Sequence, residues 1–180
     1  LQRAISTSQL AAIPTQVLST ITDWFQYFTS SQLRGFTTAG IASLNSAAIS
    51  AIQTSQISEL STTQIVALTT VQIPYLSTSA LNGLSSNQLR SIETQDIAAL
   101  TTAQVQSLSS RSLGQLTTNQ IKAIEGEDIA ALRSGQLQSL SSSQVVALTT
   151  AQLSSLDGPT QQAWLATNAI ASLSTSQLLV

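Results

Sequence analysis

Aliphatic residues recur with a period of eight along most of this chain. Numbering the octad Thr101–Leu108 (TTAQVQSL) from one to eight places Val105 fifth and Leu108 eighth. Stepping by eight from Thr29 to Leu156, the fifth and eighth positions hold only aliphatic residues or phenylalanine. The fourth position is usually Gln, the first and second are usually Ser or Thr, and the seventh is nearly always small. A period this strict predicts a stack of structural repeats.

Neither a continuous helix nor a single strand accommodates this octad. At about 100° per residue, eight helical residues overshoot two turns by about 80°, so the apolar stripe would wind around the helix axis. In a strand, the fifth and eighth positions have opposite parity and would face opposite sides. The octad must therefore contain a break.

Polar residues locate this break at the start of each octad. In octads such as Ser61–Leu68, the first residue and Gln64 form a capping box, in which the hydroxyl and the amide each bond an otherwise unpaired backbone N–H. Leu60 and Ile65 then occupy the two positions of a hydrophobic staple. Each octad is therefore predicted to form one helix of about five or six residues, starting at a cap.

Helices this short are marginal in water unless they pack against one another. The octads must therefore stack and share a core, and the small seventh residues would let neighbouring helices approach closely. The predicted fold class is an all-α solenoid, a superhelix of very short capped helices with one helix per repeat.

A β-solenoid is the alternative fold. Thr, Ile and Val favour strands, stacked Gln side chains form amide ladders in such folds, and a corner between the fifth and eighth positions would repair their parity. The frequent Ala and Leu, the few turn glycines and the capping pattern favour helices instead.

The repeat divides the chain into three predicted parts. Residues 1–31 are irregular N-terminal repeats with an aromatic cluster, residues 32–159 are the regular octapeptide array, and residues 160–180 are irregular C-terminal repeats. The phase slips near both ends, because Gln9 and Gln16 are seven residues apart.

At the other end, Asn168 and Gln177 are nine residues apart. An aromatic cluster, Trp24–Phe28 (WFQYF), lies near the first slip, and Trp164 lies near the second. These residues either form a ligand patch or pack at the ends of the array, and packing is the favoured interpretation. The slips themselves fit either terminal capping repeats or ordinary drift within a longer array.

Composition excludes several classes of function. The net charge is -2, and the chain is 42% apolar but only 8% charged and 4% aromatic, which predicts a folded protein. The six basic residues are scattered rather than arranged in a stripe, so nucleic acid is not an expected partner. Apolar runs such as Ile65–Leu68 are far shorter than the roughly 20 residues of a membrane span, so no membrane insertion is expected.

Three residue types that often carry chemistry or begin a chain are missing. The sequence has no Cys, His or Met, so it has no disulfide or thiolate chemistry, and its many serines lack the usual base. We expect no enzymatic activity and no cofactor. A chain without an initiating Met that runs from Leu1 to Val180 is expected to be a fragment cut from a longer repeat region.

Two acidic groups are the main candidates for chemistry: IETQDI with Glu93 and Asp96, and IEGEDI with Glu125, Glu127 and Asp128. Paired carboxylates serve acid–base catalysis or bind Ca²⁺. Here the first acid of each group falls at the N-cap and the last at N3, where negative charge complements the helix dipole. Capping is therefore favoured over an ion site and over catalysis, and no catalytic, cofactor-binding or metal-binding residue is assigned.

The two acidic groups lie 32 residues apart, and Arg90 and Lys122 precede them in matching places. Asp157 continues the series from Glu93 and Glu125. Duplication of a four-octad unit is the preferred explanation. The alternative is that four octads complete about one turn of the superhelix.

Rows of Ser and Thr at the first two positions suggest two surface functions. Regular threonine rows on a flat face bind ice, although the first-position hydroxyls are expected to be used in caps. The second-position hydroxyls are candidates for O-glycosylation.

Segments such as LSTTQIVALTTVQI (60–73) and LTTAQVQSLSS (100–110) resemble the octapeptide-repeat regions of very large secreted or surface proteins of proteobacteria. The resemblance implies an extended spacer or adhesive stalk that binds calcium optionally or not at all, and a secreted or cell-surface location. It assigns no functional residue. A related possibility is a secreted effector in which the superhelix scaffolds contacts with a host protein.

The expected function is therefore that of a non-enzymatic structural segment, an extended spacer or adhesive stalk that meets an unidentified protein partner or surface. The alternative is a protein-binding superhelical scaffold of a secreted bacterial effector, and an ice-binding β-solenoid is more remote. The sixth position carries Arg34, Arg90 and Lys122 among mostly small or neutral residues, which favours the spacer over a binding face.

Overall fold

A computed structural model describes residues 5–20, 27–156, 161, 163, 165 and 171–178. Over these residues the chain forms short helices and no β-strand. The predicted all-α solenoid is confirmed, and the β-solenoid alternative is wrong for this part of the chain. The β-propensity of Thr, Ile and Val is overridden in an array where most octads cap their own helix N-terminus.

The helices belong to two compact units, Leu1–Ile92 and Glu93–Val180. The helices of the first unit are α1 (Thr7–Ala11), α2 (Thr15–Leu18), α3 (Ser30–Leu33), α4 (Thr38–Ala42), α5 (Ser46–Ser50), α6 (Thr54–Ile57), α7 (Thr62–Val66), the 3₁₀ helix η1 (Ile73–Tyr75), α8 (Thr78–Gly83) and α9 (Ser86–Ser91). Those of the second unit are α10 (Thr94–Ala98), α11 (Thr102–Ser107), α12 (Ser110–Gln115), α13 (Thr118–Ala123), α14 (Gly126–Ala130), α15 (Ser134–Gln138), α16 (Ser142–Ala147), α17 (Thr150–Ser155) and α18 (Thr175–Leu178).

The helices begin where the capping pattern predicted. At the start of α9, Ser85 N donates a hydrogen bond of 2.8 Å to Gln88 Oε1, and Gln88 N donates one of 3.4 Å to Ser85 Oγ. The same capping box begins α7, α11, α13, α16 and α17. Each of these octads therefore satisfies two backbone donors at its own N-terminus.

The octad Thr69–Leu76 forms the 3₁₀ helix η1 instead of an α-helix. Pro74 stands at its sixth position and has no N–H with which to bond a carbonyl four residues earlier. Tyr75 N donates instead to Gln72 O, at 3.0 Å. The proline thus shortens the helical turn within a repeat that keeps its place in the array.

The core is built from the fifth and eighth positions, as predicted. Every residue at these positions from Leu33 to Leu156 is buried. Near the start of the regular array, Phe28 and Phe36 pack edge to face, with ring centroids 5.5 Å apart and an interplanar angle of 81°. The described part of the aromatic cluster therefore includes a core residue, Phe28, beside the exposed Tyr27.

Within each unit, helices pack against helices three octads away. In the first unit α6 contacts α8 and α7 contacts α9; in the second, α10 contacts α13, α13 contacts α16, and α14 contacts α17. The seventh-position Gly83 shows how close this approach is, because a Cβ added there would lie 2.5 Å from Thr54 Cγ2. At this contact, the prediction that small seventh residues permit close packing is confirmed.

The first change of phase lies later than the N-terminal glutamines indicated. The N-caps of α1 and α2 are eight residues apart, and Leu10 and Leu18 are both buried, so the octad persists through both helices. Among the described residues, the next buried fifth-position residue is Leu33, fifteen residues after Leu18. Gln16 misleads because it is the second residue of α2 and not the third.

Candidate functional site

The fourth position of the octad is where the array places its buried polar side chains. Every residue at this position from Gln32 to Gln152 is buried, including the exceptions Asp96, Ser112 and Asp128. In the described residues, all buried polar or charged side chains occupy this position. Sequence analysis assigned it to helix capping alone, which explains only part of its chemistry.

Fourth-position glutamines connect octads that are four repeats apart. Gln64 Nε2 donates to the carbonyl oxygens of Leu33, at 3.0 Å, and Phe36, at 2.8 Å. We call the residues that make this pair of bonds, to carbonyls 31 and 28 residues earlier at 2.6 to 3.3 Å, the glutamine ladder: Gln64, Gln72, Gln88, Gln136, Gln144 and Gln152.

Each ladder amide forms hydrogen bonds through both its oxygen and its nitrogen. Gln144 Oε1 accepts hydrogen bonds from Ser141 N and Ser141 Oγ, at 2.9 and 3.1 Å, and so caps its own helix α16. Gln144 Nε2 donates to Leu113 O and Leu116 O, at 3.0 and 2.8 Å. These carbonyls belong to the C-terminal turn of an earlier octad, where Leu113 O also accepts from Leu116 N, at 3.2 Å, and Leu116 O follows the last helical residue. Capping one helix and satisfying the end of another therefore depend on the same side chain.

The ladder also gives the reach of the superhelix within each unit. Its bonds extend back four octads, while helix packing extends back three, so one turn takes between three and four octads. Glu93 and Glu125, both in the second unit, are 32 residues apart, which is also a distance of four octads. The recurrence of the acidic groups therefore has a structural counterpart in the reach of the ladder.

The first acid of each acidic group occupies the predicted cap position without capping. Glu93 and Glu125 are the N-cap residues of α10 and α14, but neither side chain bonds the helix N-terminus. Glu93 Oε2 instead accepts from Gln95 Nε2, at 2.8 Å. Glu has one methylene more than Asp, which is among the preferred N-cap residues, and its carboxylate falls outside the capping geometry.

The remaining acids do not assemble into a site. Asp96 and Asp128 lie at N3, as predicted, and are buried, whereas Glu127 is exposed. Over the part of the chain that the structure describes, no group of three or more His, Cys, Asp or Glu side chains could hold a metal ion. These acids stand in the first turns of helices, where they complement the helix dipole.

Several second-position hydroxyls are used between octads rather than left free. Ser30 Oγ donates to Ser55 O, at 2.9 Å, and Ser110 Oγ donates to Gly135 O, at 3.1 Å. Thr54 Oγ1 makes the corresponding bond to Ser79 O, at 3.2 Å. Each of these bonds joins octads three repeats apart. Sequence analysis treated these hydroxyls as a free surface, because the repeat alone does not show which octads are neighbours.

Charged residues at the sixth position also serve the repeat. Arg34 forms an ion pair with Glu59, and its Nε donates to Glu59 O, at 3.1 Å. Both side chains are exposed, so this pair contributes little to stability. Arg90 and Lys122 stand in the last turns of α9 and α13, where positive charge complements the helix dipole.

The exposed face of the array carries few large apolar side chains. Val66, Val71 and Tyr75 lie in consecutive octads and are exposed, with Val71 the most accessible at 77%. Trp24, Trp164 and Asp157 lie outside the described residues. None of the helices in the described segments is long and apolar enough to cross a membrane.

Comparison with known sequences identifies the repeat itself. A sequence model of the ALTTAQ repeat matches residues 26–62, 89–124 and 121–157, which together make up more than half of the chain. The letters ALTTAQ occur unchanged at residues 99–104 and 147–152. Their Leu is the buried eighth position, their first Thr is the N-cap, and their Gln is the buried fourth position. No curated protein matches the chain.

Proposed function

The chain belongs to the ALTTAQ repeat family, and from this premise we propose that it is a non-enzymatic structural segment, an extended spacer or adhesive stalk of a larger secreted or cell-surface protein. The observation that carries the proposal is the use of the buried polar groups. In the ladder glutamines, the amide oxygen accepts the hydrogen bond that caps the residue's own helix, and the amide nitrogen donates to carbonyls four octads earlier. The polar interior therefore serves to hold repeats in place.

The outer face supports the same role. The first three positions of most octads expose Ser, Thr, Ala, Asn or Gln, which keep the surface hydrated without concentrating charge of one sign. Such a coat suits a segment whose task is to separate other parts of a protein.

A protein-binding scaffold of a secreted bacterial effector is the second candidate function. It is favoured by the exposed side chains Val66, Val71 and Tyr75, because exposed apolar groups mark interaction surfaces. The ice-binding β-solenoid is not proposed, because the described residues contain no strand.

Two variants, each expressed in the cell that makes the protein, distinguish the spacer from the scaffold. Deleting residues 117–148 removes four whole octads, whereas replacing Val71 and Tyr75 with Ser changes only exposed side chains. A spacer predicts that cell attachment, or the reach of an epitope beyond the array, falls with the deletion and is unchanged by the substitutions. The reverse result would replace the spacer with the scaffold.

The proposed location is tested separately. Antibodies against the chain should bind intact cells, or recover the chain from the medium, and external protease should remove the cell-bound signal. Detection only after lysis would contradict secretion and surface display.

A further inference from the structure

We propose that each unit lengthens under tension one octad at a time, and that octads without a glutamine at the fourth position yield first. This inference rests on the proposed spacer or stalk function, because a stalk carries load between the parts that it joins. It assigns the array a mechanical role, that of an extensible element that lengthens in small increments.

The bonds that hold an octad in the stack extend only to octads three or four repeats away. Thr54 Oγ1 bonds Ser79 O three octads away, and Gln88 Nε2 bonds Ile57 O and Leu60 O four octads away. The helix pairs in closest contact are likewise three octads apart. An octad that leaves the stack therefore breaks bonds only with near neighbours, and the rest of the unit keeps its own. This is the quasi-one-dimensional organisation in which repeats unfold locally.

An octad that leaves the stack loses its helix cap together with its packing contacts. When the octad of Gln136 leaves, Gln136 Nε2 loses the carbonyls of Val105 and Leu108, at 3.3 and 2.8 Å. In the stack, Arg133 N donates a hydrogen bond of 2.9 Å to Gln136 Oε1. Once the Gln136 side chain is no longer held by the earlier octad, this capping bond is lost as well. A helix this short does not persist alone, so detachment and unfolding of an octad coincide.

Octads differ in the number of hydrogen bonds that hold them in the stack. Ala80 is fully buried at the fourth position and has no side-chain donor for Ile49 O and Ile52 O, the carbonyls 31 and 28 residues earlier. In the second unit, Asp128 occupies the same position, and its side chain has no amide N–H to donate to the two carbonyls. These octads are held by apolar packing without the pair of amide bonds, so they are among the weakest points of their units.

Force spectroscopy on the full chain tests the inference. The chain is held by its two ends and pulled slowly in optical tweezers. Release of one octad adds eight residues of extended chain, about 28 Å at most. The expected record is a series of reversible steps of this size or of small multiples. One abrupt lengthening for a whole unit would overturn the inference and leave the spacer function standing, because a rigid spacer also separates its ends.

Matched variants test the contribution of the glutamines. Gln136 and Gln138 belong to the same helix, α15, but only Gln136 is buried and bonded to an earlier octad. Gln136→Ala should add one low-force step to the record of the second unit, and Gln138→Ala should leave the number of low-force steps unchanged. Ala80→Gln should remove one low-force step from the record of the first unit. Equal effects of Gln136→Ala and Gln138→Ala would show that the ladder does not set the order of yielding.

Discussion

Glutamine is suited to the fourth position because its amide accepts at one atom and donates at another. In the octad of Gln152, Oε1 accepts from Thr149 N at 2.9 Å, while Nε2 donates to Ile121 O and Ile124 O at 2.8 and 2.6 Å. Glutamate could form the cap but has no donor for the carbonyls, and asparagine is one methylene shorter. The side chain therefore has to combine amide chemistry with this length.

Asp128→Gln should stabilise the protein. The new amide would meet the carbonyls of Ile97 and Leu100, which stand 31 and 28 residues earlier as in the ladder. Two hydrogen bonds at about 0.5–1.5 kcal/mol each outweigh the loss of an acid near a helix N-terminus, about 0.3–1 kcal/mol. We expect a net gain of about 1 kcal/mol, measured by thermal unfolding followed by circular dichroism.

Glu127→Gln is the control, because it removes an acid from the same turn at an exposed position. It should not raise the melting temperature. An equal rise in both variants would attribute the effect to charge and not to the ladder.

Sequence reasoning found half of the glutamine's role. The cap is visible because Ser or Thr lies three residues earlier in the same octad, as in Ser61 and Gln64. The carbonyl partners lie 28 and 31 residues away, and nothing local indicates that distance. One signal was available: a capping box accepts Glu as readily as Gln, yet Glu never occurs at the fourth position from Gln32 to Gln152.

At the scale of the element, very short helices persist because hydrogen bonds from side chains satisfy the ends of many of them. Most N-termini are capped within the octad, and many of the last carbonyls accept from a ladder glutamine. The sequence predicts helix starts and lengths well, because both depend on local chemistry. It misplaces the first phase change, because that inference followed Gln16 and not the buried Leu10 and Leu18.

Close contact between octads predicts opposite effects for two glycines. A Cβ at Gly35 would lie 2.7 Å from Thr7 Cα and 2.8 Å from Thr7 O, so backbone would have to shift. Gly35→Ala should destabilise the protein by about 1–3 kcal/mol, the usual cost of overpacking. Denaturant titration gives the free energy of unfolding.

Gly135→Ala is the matched substitution in α15, where an added Cβ meets nothing within 4 Å. It should stabilise by about 0.5–1 kcal/mol, because alanine is the better helix former. If both variants change stability in the same direction, close approach at Gly35 is not the controlling factor.

At the scale of each unit, stability comes from a repeated local arrangement and not from one central core. The all-α solenoid could be predicted because the eight-residue period and the capping pattern agree. The reach of three to four octads per turn entered only as the alternative explanation of the 32-residue recurrence of acids, because it depends on how residues such as Gly83 and Thr54 meet across the stack.

Removing one whole octad should therefore leave a folded protein. Deleting residues 117–124 returns every later residue to an equivalent position in the repeat, so we expect the helical circular dichroism signal per residue to be unchanged. Deleting only residues 121–124 moves polar residues into the buried fifth and eighth positions and should lower the melting temperature sharply. Similar melting temperatures for the two deletions would contradict the octad as the unit of folding.

The short reach of the bonds also has a consequence for inheritance. Since an octad recognises only nearby octads of the same design, a gene encoding it can gain or lose whole repeats during replication without loss of a foldable product. Such slippage damages most coding sequences, but here it would produce alleles of different length. Natural selection could then adjust the length of the array through changes in copy number, with no new side chain required.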